Sequence, residues 1–353
     1  MKQAISGLYP GYFSLVMATG IVSLAARMEG MQLISMILFR LNVCAYLALW
    51  ALNILRCIMF PIQFFTDLTD HLQGPGFFTS IAATCVLGLQ FLQLYADYRA
   101  AMVLWVLAIV LWIVFTYVIF AGLTIKEEKP PISEGITGSW LLAVVATQSV
   151  AVLGAQIAAN LQQVHKLELN FFALSMWLWG GMLYIWMISL IFYRYTFFRF
   201  SSRDLSPLYW INMGAMAIST LAGAHLIDNS RDAPFLSSLI PFLKGFTVFY
   251  WATGTWWIPM LLCLSLWSYV WKREPLRYDP HVWGAVFPLG MYAVCTSSMA
   301  GSLDMGFLNA IPHIFAYLAL LVWAAAFAGL VKKLSMSIYL HTAGNGRRKL
   351  HSY

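Results

Sequence analysis

The sequence predicts an all-α integral membrane protein of ten transmembrane helices, arranged as five helical hairpins around a central pore. Three observations lead there. The 353-residue chain is 61% hydrophobic and only 10% charged, against about 25% charged residues in an average soluble domain. Its mean hydropathy is +0.74. Its apolar runs are long and unbroken rather than alternating, which favours helices over a membrane barrel. This composition excludes a disordered chain, a coiled coil and a disulfide-rich secreted module. So few charges also leave no surface for a soluble enzyme. The basic balance does not indicate nucleic acid, because Lys and Arg are scattered through short loops.

A bilayer core takes about 20 residues of helix. Runs of that length fall at roughly 11–27, 33–57, 76–96, 100–123, 137–158, 170–193, 207–227, 245–271, 280–302 and 307–331. The first run follows Lys2 as its single early charge and opens on Pro10 and Gly11, so it reads as a retained span and not a cleaved leader. Residues 1–335 therefore form one transmembrane domain, and 336–353 read as a polar cytoplasmic tail.

Ten spans put both termini on one side. Fifteen basic residues then share the side of the termini: Lys2, Arg56, Lys126, Lys129, Arg194, Arg199, Arg203, Lys272, Arg273, Arg277, Lys332, Lys333, Arg347, Arg348 and Lys349. Five fall opposite, Arg27, Arg99, Lys166, Arg231 and Lys244, and Arg40 lies inside the second span. Positive charge is retained in the cytoplasm, so both termini are expected there. Arg40 reads as a snorkelling side chain on an outer helix, with attraction of anions, lipid or a neighbouring subunit as the alternatives.

The spans are of two kinds. Odd-numbered spans hold 12 aromatic residues and even-numbered spans hold 30. The odd spans instead carry small and hydroxyl residues near mid-span: Thr19 with Gly20, Thr84, Thr147, Gly214 with Thr220, and Thr296. Small residues let backbones approach, and bulky ones suit lipid and outer packing. The alternation suggests an inner and an outer ring, with Thr19, Gly20, Thr84, Thr147, Gly214, Thr220 and Thr296 expected to line a narrow path between the inner helices, although small residues also mark ordinary helix seams.

All fourteen acidic residues lie in loops or at helix ends. A proton-driven pump or cation carrier keeps a carboxylate within the membrane. A neutral, hydroxyl-lined path with basic residues at its mouth suits an anion. No hydrolase, transferase, Walker or dinucleotide motif is present, so the chain is not expected to be an enzyme. Cys44, Cys57, Cys85, Cys263 and Cys295 lie in apolar runs, and His225, His281 and His313 lack metal-ligand spacing. No metal or cofactor is expected. The histidines read as packing or interfacial residues, with His225 and His313 as the titratable candidates if transport is proton-coupled.

Two stretches resemble a known family. Residues 10–21, PGYFSLVMATGI, and 283–296, WGAVFPLGMYAVCT, are similar to the first and ninth helices of the tellurite-resistance/dicarboxylate transporter family. That family includes the bacterial TehA-type proteins, yeast malate and sulfite permeases and the plant guard-cell slow anion channel. Trp140-Leu141-Leu142 and Gly214-Ala215-Met216-Ala217 fit too, and the resemblance covers about residues 8–335. It implies a homotrimer with a pore in each subunit, odd helices lining the pore, and a phenylalanine plug just before the ninth-helix proline. The matching residues are Phe287 and Pro288. The first, third, fifth and seventh helices lack the mid-span prolines common in the family, and Gly20, Gly88, Gly154 and Gly214 are the available bend points. From residue type alone, Phe287 reads as one more buried aromatic, and it is the resemblance that favours the plug.

The expectation is a gated anion channel or facilitator for small inorganic or organic anions. The alternative is a proton-coupled carrier of C4-dicarboxylates or tellurite. A membrane enzyme or redox subunit ranks below both.

Overall fold

A computed structural model describes residues 5–160, 163–202, 204–275 and 278–350, the side chains of 337–350 excepted. Lys2, Arg203 and Arg277 of the basic split lie outside the described residues, as do the side chains of Arg347, Arg348 and Lys349. Ten long helices account for the fold, and there is no strand among the described residues. They are α1 (Ser14–Met28), α2 (Gln32–Met59), α3 (Phe78–Tyr95), α4 (Tyr98–Ile125), α5 (Leu142–Ala158), α6 (Lys166–Phe197), α7 (Ile211–Asp228), α8 (Ile240–Ser265), α9 (Trp283–Ser302) and α10 (Ala310–Leu350). The segment read as a polar tail continues α10 as helical backbone as far as Leu350.

Among the described residues, nine of these helices are long and apolar enough to cross a bilayer. The remaining one, α8, is 26 residues long, or about 39 Å at 1.5 Å per residue. Its sequence, IPFLKGFTVFYWATGTWWIPMLLCLS, is diluted by Trp, Tyr, Thr and Gly. A π-helical stretch, Leu266–Trp271, extends it. The long outer helices and the short inner ones reflect their settings. Outer helices can tilt and run past the core, whereas inner ones are bounded by turns at both ends.

The two kinds of helix separate in space. Within an apolar 18-residue stretch of each span, between 72% and 94% of residues are buried for α1, α3, α5, α7 and α9, against 17–50% for α2, α4, α6 and α10. The inner five pack in a closed ring, α1 on α3, α3 on α5, α5 on α7, α7 on α9 and α9 back on α1. Each outer helix packs against its hairpin partner, and α2, α4, α6 and α10 also touch the next inner helix around the ring. The cause is steric. Ala, Gly, Ser and Thr dominate α5 and α7, so five backbones can close a ring that bulkier helices would hold open.

Candidate functional site

Each inner helix is preceded by a 3-10 turn: Pro10–Phe13, Gly74–Phe77, Gly138–Leu141, Pro207–Trp210 and Pro280–Val282. Proline or glycine opens every one. Proline suits a first helical turn because it lacks an N–H that would have no partner there. The five turns touch in sequence and close a collar. Two glycines set its tightness. A Cβ on Gly76 would lie 2.9 Å from the backbone nitrogen of Gly11, and one on Gly138 would lie 2.5 Å from the carbonyl oxygen of Leu208. The amino ends of all five inner helices thus meet at one end of the ring, where their N–H groups and dipoles favour negative charge. No acidic residue occupies the first turn of any collar segment.

Asp279 caps the fifth collar turn, accepting from the backbone N–H of His281 at 2.8 Å. The His281 ring packs edge-on against Tyr9, 4.8 Å between centroids, tying the first and fifth turns. Hydrogen bonding from His281 holds the Asp279 carboxyl below its ordinary range, and burial, reinforced by the Asp279 charge, pushes the Tyr9 phenol up. Beside the collar, burial and then Lys126 lower the His71 imidazole, so its neutral form is favoured.

The mid-span hydroxyls are all buried, and four of them are bonded to the outer ring. Trp323 of α10 donates to Thr19 of α1 at 2.9 Å. Trp112 of α4 donates to Thr147 of α5 at 2.8 Å. Trp251 of α8 donates to Thr296 of α9 at 3.0 Å. The Tyr46 hydroxyl of α2 lies 2.9 Å from the Thr84 hydroxyl of α3. Thr84 itself donates to the Ser80 carbonyl, so Tyr46 is the donor. At the fifth seam, Trp177 of α6 donates to the Ser219 carbonyl of α7 at 2.8 Å, beside Thr220, which donates to its own helix at Met216. Each outer helix therefore pins the next inner helix with at least one aromatic donor, α4 adding Trp105 to the Val150 carbonyl of α5 and α6 adding Tyr184 to the Asn212 carbonyl of α7. The hydroxyls of Thr19, Thr84, Thr147 and Thr296 are thus bonded across the seams between the rings.

Gly20 faces Val86 and the amide of Asn42, and Gly214 faces the ring of Pro288. Both glycines serve close packing between helices. Arg40 is exposed on α2.

Four neighbours set the rotation of α9, one being α10, whose Phe315 ring centre lies 4.6 Å from that of Tyr292. Pro288 lies against Gly214 of α7, Gly290 against Ile21 and Val22 of α1, and Tyr292 and Thr296 bond Thr255 and Trp251 of α8. At about 100° per residue, Phe287, Met291, Val294 and Ser298 share the remaining side, opposite the outer ring. Phe287 and Met291 are fully buried, whereas Val294 and Ser298 are part-exposed. Among the described residues no aromatic ring packs against Phe287 as the outer aromatics pack against one another.

At the end opposite the collar, a cavity of about 290 Å³ is lined by Gln93, Gln156, His225 and Asp228 among others. Gln93 donates to the Gln156 carbonyl at 3.4 Å, and the Gln156 amide lies 2.9 Å from His225 Nε2. α3, α5 and α7 each supply one link of this chain. The two glutamines were missed from sequence, since each is a single polar residue near the end of an apolar run. His313 bonds Glu29 at 2.6 Å. Among the described residues no three His, Cys, Asp or Glu side chains cluster as metal ligands.

Residues 7–331 match the family described as voltage-dependent anion channel, SLAC1. The chain belongs to that family. It is similar to an uncharacterized membrane protein of Mycobacterium tuberculosis, 36% identical over 44% of this chain and 79% of the relative. It is similar to a sulfite efflux pump of Trichophyton rubrum, 25% identical over 94% and 92% of the two chains. It is also similar to a malic acid transport protein of Schizosaccharomyces pombe, 22% identical over 92% and 77%. Membership in the voltage-dependent anion channel family gives the two-ring architecture its setting: a multi-pass membrane protein that transports anions.

Proposed function

We propose that the chain is a gated anion channel or facilitator whose path runs along the axis of the inner ring and is plugged by Phe287 beside Pro288. One observation carries this reading. On the side of α9 opposite the outer ring, Phe287 is fully buried, while Val294 and Ser298, nearer the far end, are part-exposed. That contrast fits a passage that narrows at the phenylalanine and widens beyond it. Anions gather at the collar, where five helix amino ends converge, and lose part of their hydration at the neck. The path is lined by the sides of the inner helices that face away from the seams. Thr19, Thr84, Thr147, Thr220 and Thr296, with Gly20 and Gly214, hold those helices in place around it.

The cargo is a small anion. The names of the sulfite efflux and malic acid transport relatives make sulfite and malate the first substrates to test. The collar faces the cytoplasm with both termini, from the distribution of basic residues, and α8 crosses the cell membrane as the tenth span. Three subunits assemble, each with its own path, as the family resemblance implies.

The test is current across a planar bilayer containing purified protein. Currents reversing at the anion equilibrium potential are expected. Saturable flux that requires a proton gradient overturns the channel reading in favour of a proton-coupled carrier. That second reading draws on His225, bonded to Gln156 in the far cavity, as its titratable group, and His225→Gln would then abolish the proton dependence. A reporter active only outside the cytoplasm, fused after Tyr353, is expected to stay silent.

A further inference from the structure

Two buried arginines close the last turns of α2 and α6 in the same way. Arg56 donates from Nε to the Ser6 carbonyl at 3.0 Å, just ahead of the first collar turn. Arg194 donates from Nη1 to the Ile136 carbonyl at 2.7 Å, just ahead of the third. Arg56 is 1% exposed and Arg194 8%. Each ties the end of an outer helix to the entry of the inner helix before it in the chain.

They differ in counter-charge. Arg56 forms an ion pair with Asp67 on the short helix Pro61–Leu68. Arg194 has no carboxylate in ion-pair contact among the described residues. Its other contacts are the Tyr209 hydroxyl and the face of Phe200, 5.8 Å from the ring centre. The Asp204 carboxylate, on the loop that follows α6, is bonded instead to the backbone N–H and hydroxyl of Ser201. Arg194 Nε is buried with no partner, and Nη2 has none among the described residues. The two nitrogens that form the forked edge of the guanidinium therefore both lack a partner among the described residues.

Arginine does not shed its charge by deprotonation. A buried, unpaired charge is costly, and the Nε–Nη2 fork matches the paired oxygens of a carboxylate or other oxoanion. We propose that this edge of Arg194 holds a bound oxoanion of the carboxylate, sulfite or phosphate class, which fills for Arg194 the place that Asp67 fills for Arg56. The bound group braces the collar where α5, α6 and α7 meet. It is a resident ion rather than a conducted one, so this site stands or falls independently of the conduction reading. Its source is either a free anion or the phosphate of an acidic lipid, since α6 ends at the membrane surface.

The experiment measures thermal unfolding of the purified full chain in sulfite, phosphate or chloride at matched ionic strength. It is then repeated in nanodiscs of phosphatidylcholine with and without phosphatidylglycerol. Sulfite or phosphate is expected to raise the melting temperature by about 2 °C or more over chloride. Arg194→Lys, which keeps the charge and loses the fork, should lose that increment. Asp67→Ala, which frees Nη2 of Arg56 beside its buried, unpartnered Nη1, should gain a second one. A rise with phosphatidylglycerol alone, lost in Arg194→Lys, assigns the source to lipid. Equal responses of the wild type and Arg194→Lys to every oxoanion and to phosphatidylglycerol overturn the proposal. Should Arg194→Lys fail to fold, a wild-type melting temperature that is the same in sulfite, phosphate and chloride, and with or without phosphatidylglycerol, overturns it.

Discussion

Phe287→Ala separates a plug from a packing residue because the two roles predict opposite pairs of results. Phe287 is fully buried and sits on the side of α9 that neither α1, α7 nor α8 claims. If the ring fills the neck, it leaves a passing anion without hydration or partners, a penalty of several kcal/mol. Removing it relieves part of that barrier. Relief of about 1.4–2.8 kcal/mol is a ten- to hundredfold rise in conductance. The stability change is then small, since no aromatic partner is lost and one side of the ring faces the path. If Phe287 were instead a core residue, truncation to alanine would cost about 3–5 kcal/mol and leave conductance where it was. Phe287→Leu, shorter but still apolar, should fall between wild type and alanine in current. The assay is single-channel or macroscopic current in a planar bilayer, with thermal unfolding measured on the same preparation. A folded Phe287→Ala protein with unchanged current refutes the plug.

Other perturbations test the frame around it. In Gly138→Ala the new Cβ falls 2.5 Å from the Leu208 carbonyl oxygen, about 0.9 Å inside ordinary contact, so the collar must spread. The expected cost is about 1–3 kcal/mol, seen as a lower melting temperature together with altered current. Trp112→Phe removes the donor to Thr147 and should cost about 0.6–1 kcal/mol. Its effect should add to that of Trp251→Phe because the two seams share no partner, and a strongly non-additive double mutant would contradict independent seams. Asp279 has its carboxyl lowered by His281, so its contribution is fully present above the unfolded value near pH ~3.9 and is lost as pH falls through the folded value. The melting-temperature difference between wild type and Asp279→Asn should therefore shrink on acidification from neutrality through that window; a difference independent of pH would refute the ion's role.

The order and type of the helices were legible in the sequence because membrane spans announce themselves by length and apolarity. The inner and outer sets were legible because Trp112, Trp251 and Trp323 cannot fit where Gly20, Gly214 and Ala146 do. Direction around each helix was not. An inner helix such as α7 is buried over sixteen of its eighteen residues, so burial gives its pattern no phase, and Thr147 gives no sign of whether it meets the axis or Trp112. A hydroxyl that takes a hydrogen bond from another span is located only when both spans are placed. Arg194 was read as one more basic loop charge for a similar reason. Its burial depends on Ile136, at the far end of its own hairpin, and on Tyr209, from the next hairpin. The collar left a fainter mark, a proline or glycine ahead of each odd span, which acquires meaning only once five such turns close a ring.

The collar also makes the molecule electrically lopsided. All five inner helices begin at it and end at the opposite mouth, so partial positive charge sits at one entrance and partial negative charge at the other, each helix end contributing a few tenths of a kcal/mol before salt screens it. An anion approaching from the collar side meets an attractive rim, and one approaching from the far side meets a repulsive one. In symmetric salt the pathway should therefore rectify, carrying anions more readily away from the collar than toward it, and the asymmetry should fade as ionic strength rises.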